Sequence, residues 1–174
     1  MKNKKVRWGI IGLGNIANKF ATDLATVENI ELVAVASRDL QNAKNFAEKH
    51  HAKKAYGSYL ELATDTDIDA VYIATPHSFH KEHTLLCLQN KKAVLCEKPF
   101  AMNLQEVTAM IQVAKENNVL LMEALWTFFL PHFTHVLELV KSEKFGKLKN
   151  LEADFGFHTP YNTQSRLFKK EVGG

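Results

Sequence analysis

The sequence predicts a doubly wound α/β domain, a parallel sheet with helices on both faces, followed by the opening of a second, α+β unit. Three observations carry this. Short β-branched or apolar runs alternate with longer stretches of helical period. Six such strands with their helices fit into about 120 residues, the size of one doubly wound sheet. After residue 124 the alternation stops and an aromatic corner replaces it, which divides the chain into 1–124 and 125–174.

Val6–Ile11 does not alternate polar with apolar, so it reads as a first strand buried on both faces. A helix over 16–26 follows, with Phe20 and Leu24 one turn apart. Residues 31–36 form a second strand, 41–49 a polar helix, 53–56 a weak third strand at or near an edge, and 59–63 a brief helix. The fourth strand, 70–74, is stopped by Thr75-Pro76. His80–Gln89 is helical with Leu85, Leu86 and Leu88 as its apolar side, 93–96 is a fifth strand, Leu104–Asn117 a helix, and 119–123 a sixth strand.

Beyond the aromatic corner of Trp126 to Pro131, residues 132–142 form an amphipathic helix carrying Phe133, Val136, Leu137 and Val140. Residues 148–158 then alternate, with Leu151, Ala153, Phe155 and Phe157 on one side and Asn150, Glu152 and Asp154 on the other. That is the mark of a strand. One helix and one strand cannot bury a core. The expectation is association through that strand, giving a homo-oligomer, or disorder of it. Phe128, Phe129 and Phe133 fit an interdomain core.

The 22 basic and 19 acidic side chains leave a net charge of +3. This is too small and dispersed for a phosphate-tracking surface, so no nucleic acid partner is expected. The basic clusters at 2–5, 53–54, 91–92 and 141–149 read as solvated surface. Cys87 and Cys96 make no disulfide framework and no C-x-x-C pair, which fits a reducing, cytoplasmic setting. The basic start lacks the clean apolar core of a signal peptide, and no run of about 18 apolar residues predicts a membrane span.

Chemistry enters at Gly12-Leu-Gly14-Asn15-Ile16-Ala17, directly behind the first strand and opening the first helix. The tight turn needs Gly12, close approach of a pyrophosphate needs Gly14, and helix-to-strand packing needs a residue as small as Ala17. The N–H groups around Asn15 and Ile16 and the positive helix end then favour phosphate. About 20 residues on, where an NAD site would place an acid, stand Ser37 and Arg38, and Asp39 comes too late. A hydroxyl plus a guanidinium suits a 2′-phosphate, so the expected cofactor is NADP, with NAD as the alternative.

Glu97-Lys98-Pro99 follows the fifth strand at its carboxyl end, where open α/β sheets bind ligands. A lysine there can hydrogen-bond a substrate oxygen, and burial or a nearby pyridinium would lower its pKa and make it a usable proton donor or acceptor. Pro99 restricts Lys98 to an extended conformation, and Glu97 either orients or neutralises it. His77, His80 and His83 stand three apart, but that spacing does not converge and no cysteine or acid completes a set, so no metal is expected. Cys96 reads as a small buried hydrophobe.

Taken in order and spacing, Gly12-x-Gly14-x-x-Ala17, Ala74-Thr75-Pro76-x-x-x-His80 and Val94-Leu-Cys-Glu97-Lys98-Pro99 resemble the glucose–fructose oxidoreductase / inositol dehydrogenase (Gfo/Idh/MocA) family. Residues 122–127 and 152–156 resemble its dihydrodiol dehydrogenase-like branch. The resemblance implies a Rossmann fold and an NAD(P)-dependent oxidoreductase of a cyclic polyol, sugar or diol. It makes Lys98 the catalytic lysine and assigns Gly12, Gly14 and Ala17 to the pyrophosphate. Ser37 and Arg38 fall to the ribose phosphate, Thr75, Pro76, His80 and Glu97 to the nicotinamide half, and Trp126 and Phe155 to the substrate. Where relatives often carry Trp-x-Arg-Phe, this chain has Trp126-Thr127-Phe128-Phe129. Relatives also continue beyond a Gly-Gly-Gly into a motif that supplies a second catalytic group, so the chain reads as part of a longer one. The competing reading is a non-catalytic NADP(H)-binding module that lacks the substrate half.

Overall fold

Six strands, β1 (Val6–Ile11), β2 (Ile30–Ala36), β3 (Lys54–Tyr56), β4 (Ala70–Ile73), β5 (Ala93–Glu97) and β6 (Leu121–Ala124), pair in the order β3-β2-β1-β4-β5-β6. Every neighbouring pair is parallel. Five helices connect them: α1 (Asn15–Leu24), α2 (Leu40–His50), α3 (Tyr59–Thr64), α4 (His80–Gln89) and α5 (Leu104–Asn117). The structure is a computed structural model that describes residues 5–165 and 167–169. The basic residues at 2–4 and the terminal Gly173-Gly174 lie outside the described residues.

Alternation along the central strands sorts side chains to two faces. Ile10 and Tyr72 pack with Ala17 and Ala21 of α1 and Phe46 and Ala47 of α2. Ile11, Val71 and Ile73 pack on the other face with Leu62, Cys87, Leu88 and Ala114. Burying one such aliphatic side chain contributes about 1.5–3 kcal/mol. The two clusters fix the sheet's position, and with it the loops at its carboxyl end.

Helix limits follow local capping. Asp39 accepts from the Gln41 amide at 2.9 Å, Ser58 from Leu60 at 3.2 Å and Asn103 from Glu106 at 2.9 Å. α2 and α5 end where His51 and Asn118 turn left-handed, at φ 57° and 53°. β3 forms the sheet edge, and α1 closes two residues earlier than its period implied.

One basic cluster departs from the solvated reading. Lys92 is buried at 7% exposure, because its ammonium donates to the Asp65 and Ile68 carbonyls at 2.6 and 2.9 Å. Lys53 and Lys54 instead form ion pairs at 2.8–2.9 Å with Glu31, Asp65 and Asp67.

Contacts divide the chain into Met1–Ala124 and Leu125–Gly174. In the second unit a 3-10 turn (Trp126–Phe129) leads to α6 (Pro131–Lys141), which has Pro131 in its first turn and buries no residue. Phe128 lies 5.5 and 5.8 Å from the rings of Phe129 and Phe133, and all three stay exposed. The strand expected over 148–158 is not formed: its backbone is irregular and its side chains exposed. Alternation supplies a face but no partner ladder, and an unpaired strand has nothing to hold it extended. No helix among the described residues is long and apolar enough to cross a membrane.

Candidate active site

Strand order reverses between β1 and β4, and the loops leaving those two strands open the crevice in which doubly wound sheets bind ligands. Gly12 turns at φ +85°, and a Cβ there would stand 2.7 Å from the Thr75 nitrogen and 2.8 Å from the Ala74 carbonyl carbon. The fold itself therefore demands glycine at that position. Gly14 is different. Its φ of −83° suits any residue, and nothing lies within 4 Å of its missing Cβ.

Ala17 is fully buried beneath this turn. The first turn of α1 has no side-chain cap and no acidic residue, and Asn15 and Ile16 are exposed. Orphan N–H groups at the positive end of a helix, beside bare backbone, fit a phosphate.

Next to this turn lies a cavity of about 440 Å³ whose lining includes Arg38, Tyr59, Thr75, Pro76, Phe79 and His83. The Ser37 hydroxyl accepts from the Asp39 amide at 3.2 Å. Asp39 is occupied as the cap of α2, so the acid that arrives late in the sequence has a structural task. Phe79 stacks on His83 (5.8 Å, 19°), Tyr59 meets the same ring edge-on, and His83 Nδ1 lies 3.0 Å from the Thr75 hydroxyl. Burial holds His83 below the ordinary histidine value, favouring the neutral ring. Burial raises the Tyr59 hydroxyl, and Arg38 pulls it the other way. Tyr59 and Phe79 were missed in the sequence. The available signal was Gly57-Ser58-Tyr59 directly after the third strand, at the end where ligands bind.

At the tip of β5, which ends at Glu97, Lys98 is exposed. Its ammonium forms no ion pair among the described residues. Glu97 does not neutralise it. The buried Glu97 carboxylate accepts a short hydrogen bond from the Tyr72 hydroxyl and, through Oε2, the Lys98 backbone N–H at 3.2 Å. Burial and this carboxylate push the Tyr72 hydroxyl far up. The Lys98–Pro99 bond is cis. Cys96 is buried and its thiol is pushed up to about 12, as for an inert side chain.

His80 is 1% exposed, with Nε2 2.8 Å from the Thr75 carbonyl oxygen and Nδ1 2.9 Å from that of Pro99. It faces backbone and no open space. The structure thus gathers Gly12, Thr75, His80, Glu97 and Lys98 along one chain of contacts, and Arg38, Thr75 and Pro76 around one cavity. Trp126 and Phe155 belong to the second unit, where both are exposed. No three His, Cys, Asp or Glu side chains converge as a metal set among the described residues.

Fold and turn together define a dinucleotide-binding α/β domain. The chain belongs to the Gfo/Idh/MocA oxidoreductase family: residues 6–125 match the family described as an oxidoreductase family with an NAD-binding Rossmann fold. It is 46% identical over 170 residues to the trans-1,2-dihydrobenzene-1,2-diol dehydrogenase of Xenopus laevis, covering 97% of this chain and 51% of that protein. The Danio rerio protein of the same name is 47% identical over 171 residues, with the same shares covered.

Among solved structures, a 3-ketoreductase from Actinomadura kijaniata in complex with TDP-benzene and NADP superposes with TM-score 0.77 at 30% identity, over 82% of this chain and 45% of that one. The scyllo-inositol dehydrogenase of Lactobacillus casei, with bound NAD(H) and scyllo-inositol, gives TM-score 0.77 at 25% identity, over 82% and 43%. The chain spans about half the length of the curated relatives it matches.

Proposed function

We propose that this chain forms the nucleotide-binding half of an NADP(H)-dependent oxidoreductase acting on a cyclic alcohol, diol or sugar carbonyl. The observation that carries this reading is the open backbone at Gly14, where nothing in the chain requires glycine, under a helix end with neither cap nor acid. Gly12, Gly14 and the amides of Asn15, Ile16 and Ala17 would hold the pyrophosphate. Arg38 and Ser37 would take the ribose phosphate at the mouth of the aromatic cavity. Thr75 and Pro76, expected toward the nicotinamide, line that same cavity and support the adenosine side as well.

When bound, the nicotinamide supplies hydride transfer to or from the carbon bearing the substrate oxygen. Lys98 Nζ, exposed and free of an ion pair among the described residues, gives or takes the proton at that oxygen. Trp126 and Phe155, exposed in the second unit, are the substrate-bordering candidates. The same reading places the protein in the cytoplasm, supported by two buried, unpaired cysteines. It also makes the protein a homo-oligomer, supported by the exposed apolar side chains of the second unit and testable by sedimentation.

Lys98→Met tests the enzyme assignment. Reduction of a cyclic diketone or oxidation of a diol should fall by about 100-fold or more, with NADPH affinity within about threefold of wild type. Turnover unchanged by the substitution would refute it.

A further inference from the structure

The Lys98 ammonium sits on a flexible stem in solvent, so whatever aims it must act through its backbone. Two buried side chains hold that backbone, one on each side of the Lys98–Pro99 peptide. On one side, Glu97 Oε2 accepts the Lys98 N–H at 3.2 Å. A carboxylate bonded to the next residue's amide constrains little unless it is anchored elsewhere. Here the anchor is the Tyr72 hydroxyl of β4, which donates to Glu97 Oε1. Tyr72 is 1% exposed and stacked on Phe20 at 3.8 Å with 16° between the rings, so it cannot yield. On the other side, His80 reaches the Pro99 carbonyl oxygen with one ring nitrogen and that of Thr75 with the other. The backbone of Thr75 is the same one that presses on Gly12.

We propose that Tyr72 and His80 are positioning residues that fix the Lys98 turn from both sides and tie its placement to the loop beside the phosphate turn. Both are too deep to touch a ligand, and both act through backbone groups flanking Lys98. The inference rests on the reading of Lys98 as the proton-handling amine.

Tyr72→Phe keeps the ring stack and removes only the hydroxyl. In the nucleotide-free full chain, site-resolved amide hydrogen exchange should then show the Lys98 N–H exchanging about tenfold faster or more, the size expected for a hydrogen bond to a charged group. Amides of β1 and β2 should be unchanged. In His80→Phe the Lys98 N–H should likewise exchange faster, because the Pro99 carbonyl on the far side of the turn loses its partner. The amides of β1 and β2 should again be unchanged, and NADPH affinity should stay within about threefold of wild type, as for Lys98→Met.

An unaltered Lys98 exchange rate in either variant would overturn the proposal. If the wild-type chain does not bind NADPH, the proposed function fails by itself, and the exchange rate of Lys98 still decides whether Tyr72 and His80 brace the turn.

Discussion

The Gly12 turn and the Lys98 turn lie at the same end of one sheet and are built by opposite means. The first is defined by missing atoms: no Cβ at Gly12 or Gly14, no side-chain cap and no acid in the first turn of α1. The second is defined by atoms packed behind it, with Tyr72, Glu97 and His80 buried so that only the lysine side chain emerges. A surface that receives a ligand can be left as bare backbone. A group that must point somewhere needs side chains behind it.

The strongest break in this comparison is Gly12→Ala. It combines a positive φ with a contact of 2.7 Å to the Thr75 backbone. The folded protein should lose about 3 kcal/mol, read from a urea midpoint, and nucleotide affinity should go with it because the loop at Thr75 shifts. Arg38→Ala touches only the open side. Preference for NADPH over NADH should fall about tenfold to 100-fold in paired titrations, with the urea midpoint unchanged. A retained preference would assign the 2′-phosphate to other residues.

A smaller effect is expected from pH. His83 and His50 are both held below the ordinary value of 6.5 by burial. The unfolded chain therefore binds more protons than the folded one below that pH. Their contribution to stability is complete above about pH 6.5 and is lost as the pH falls through the lower folded values. Melting temperature should drop on going from pH 7.5 to 5.5, and His83→Gln should flatten part of that slope.

The sheet was legible because it is written locally. Val6–Ile11, His80–Gln89 and Leu104–Asn117 have the limits expected from their periods and flanking residues, such as Asn103 before α5. The Gly12 turn was legible for the same reason. The brace was not, since Tyr72 and Glu97 are 25 residues apart and meet only because β4 and β5 pair. The cavity beside Arg38 likewise joins residues from the ends of β2, β3 and β4, which become neighbours only through the strand order. Asp39 was counted as a misplaced ligand when its local role is a helix cap. Alternation over 148–158 overstated a strand, because a period of two specifies a face and says nothing of a hydrogen-bonding partner.

The two glycines of the turn separate fold from function, and Gly14 gives the sharper test. An alanine there fits the backbone and meets no atom of the chain. Fluorescence titration of NADPH into wild type and Gly14→Ala, with melting curves for both, measures this directly. Identical melting and saturable wild-type binding weakened about tenfold or more by the methyl group are the predicted result. Equal NADPH affinity in the two proteins would show that no phosphate lies on this turn.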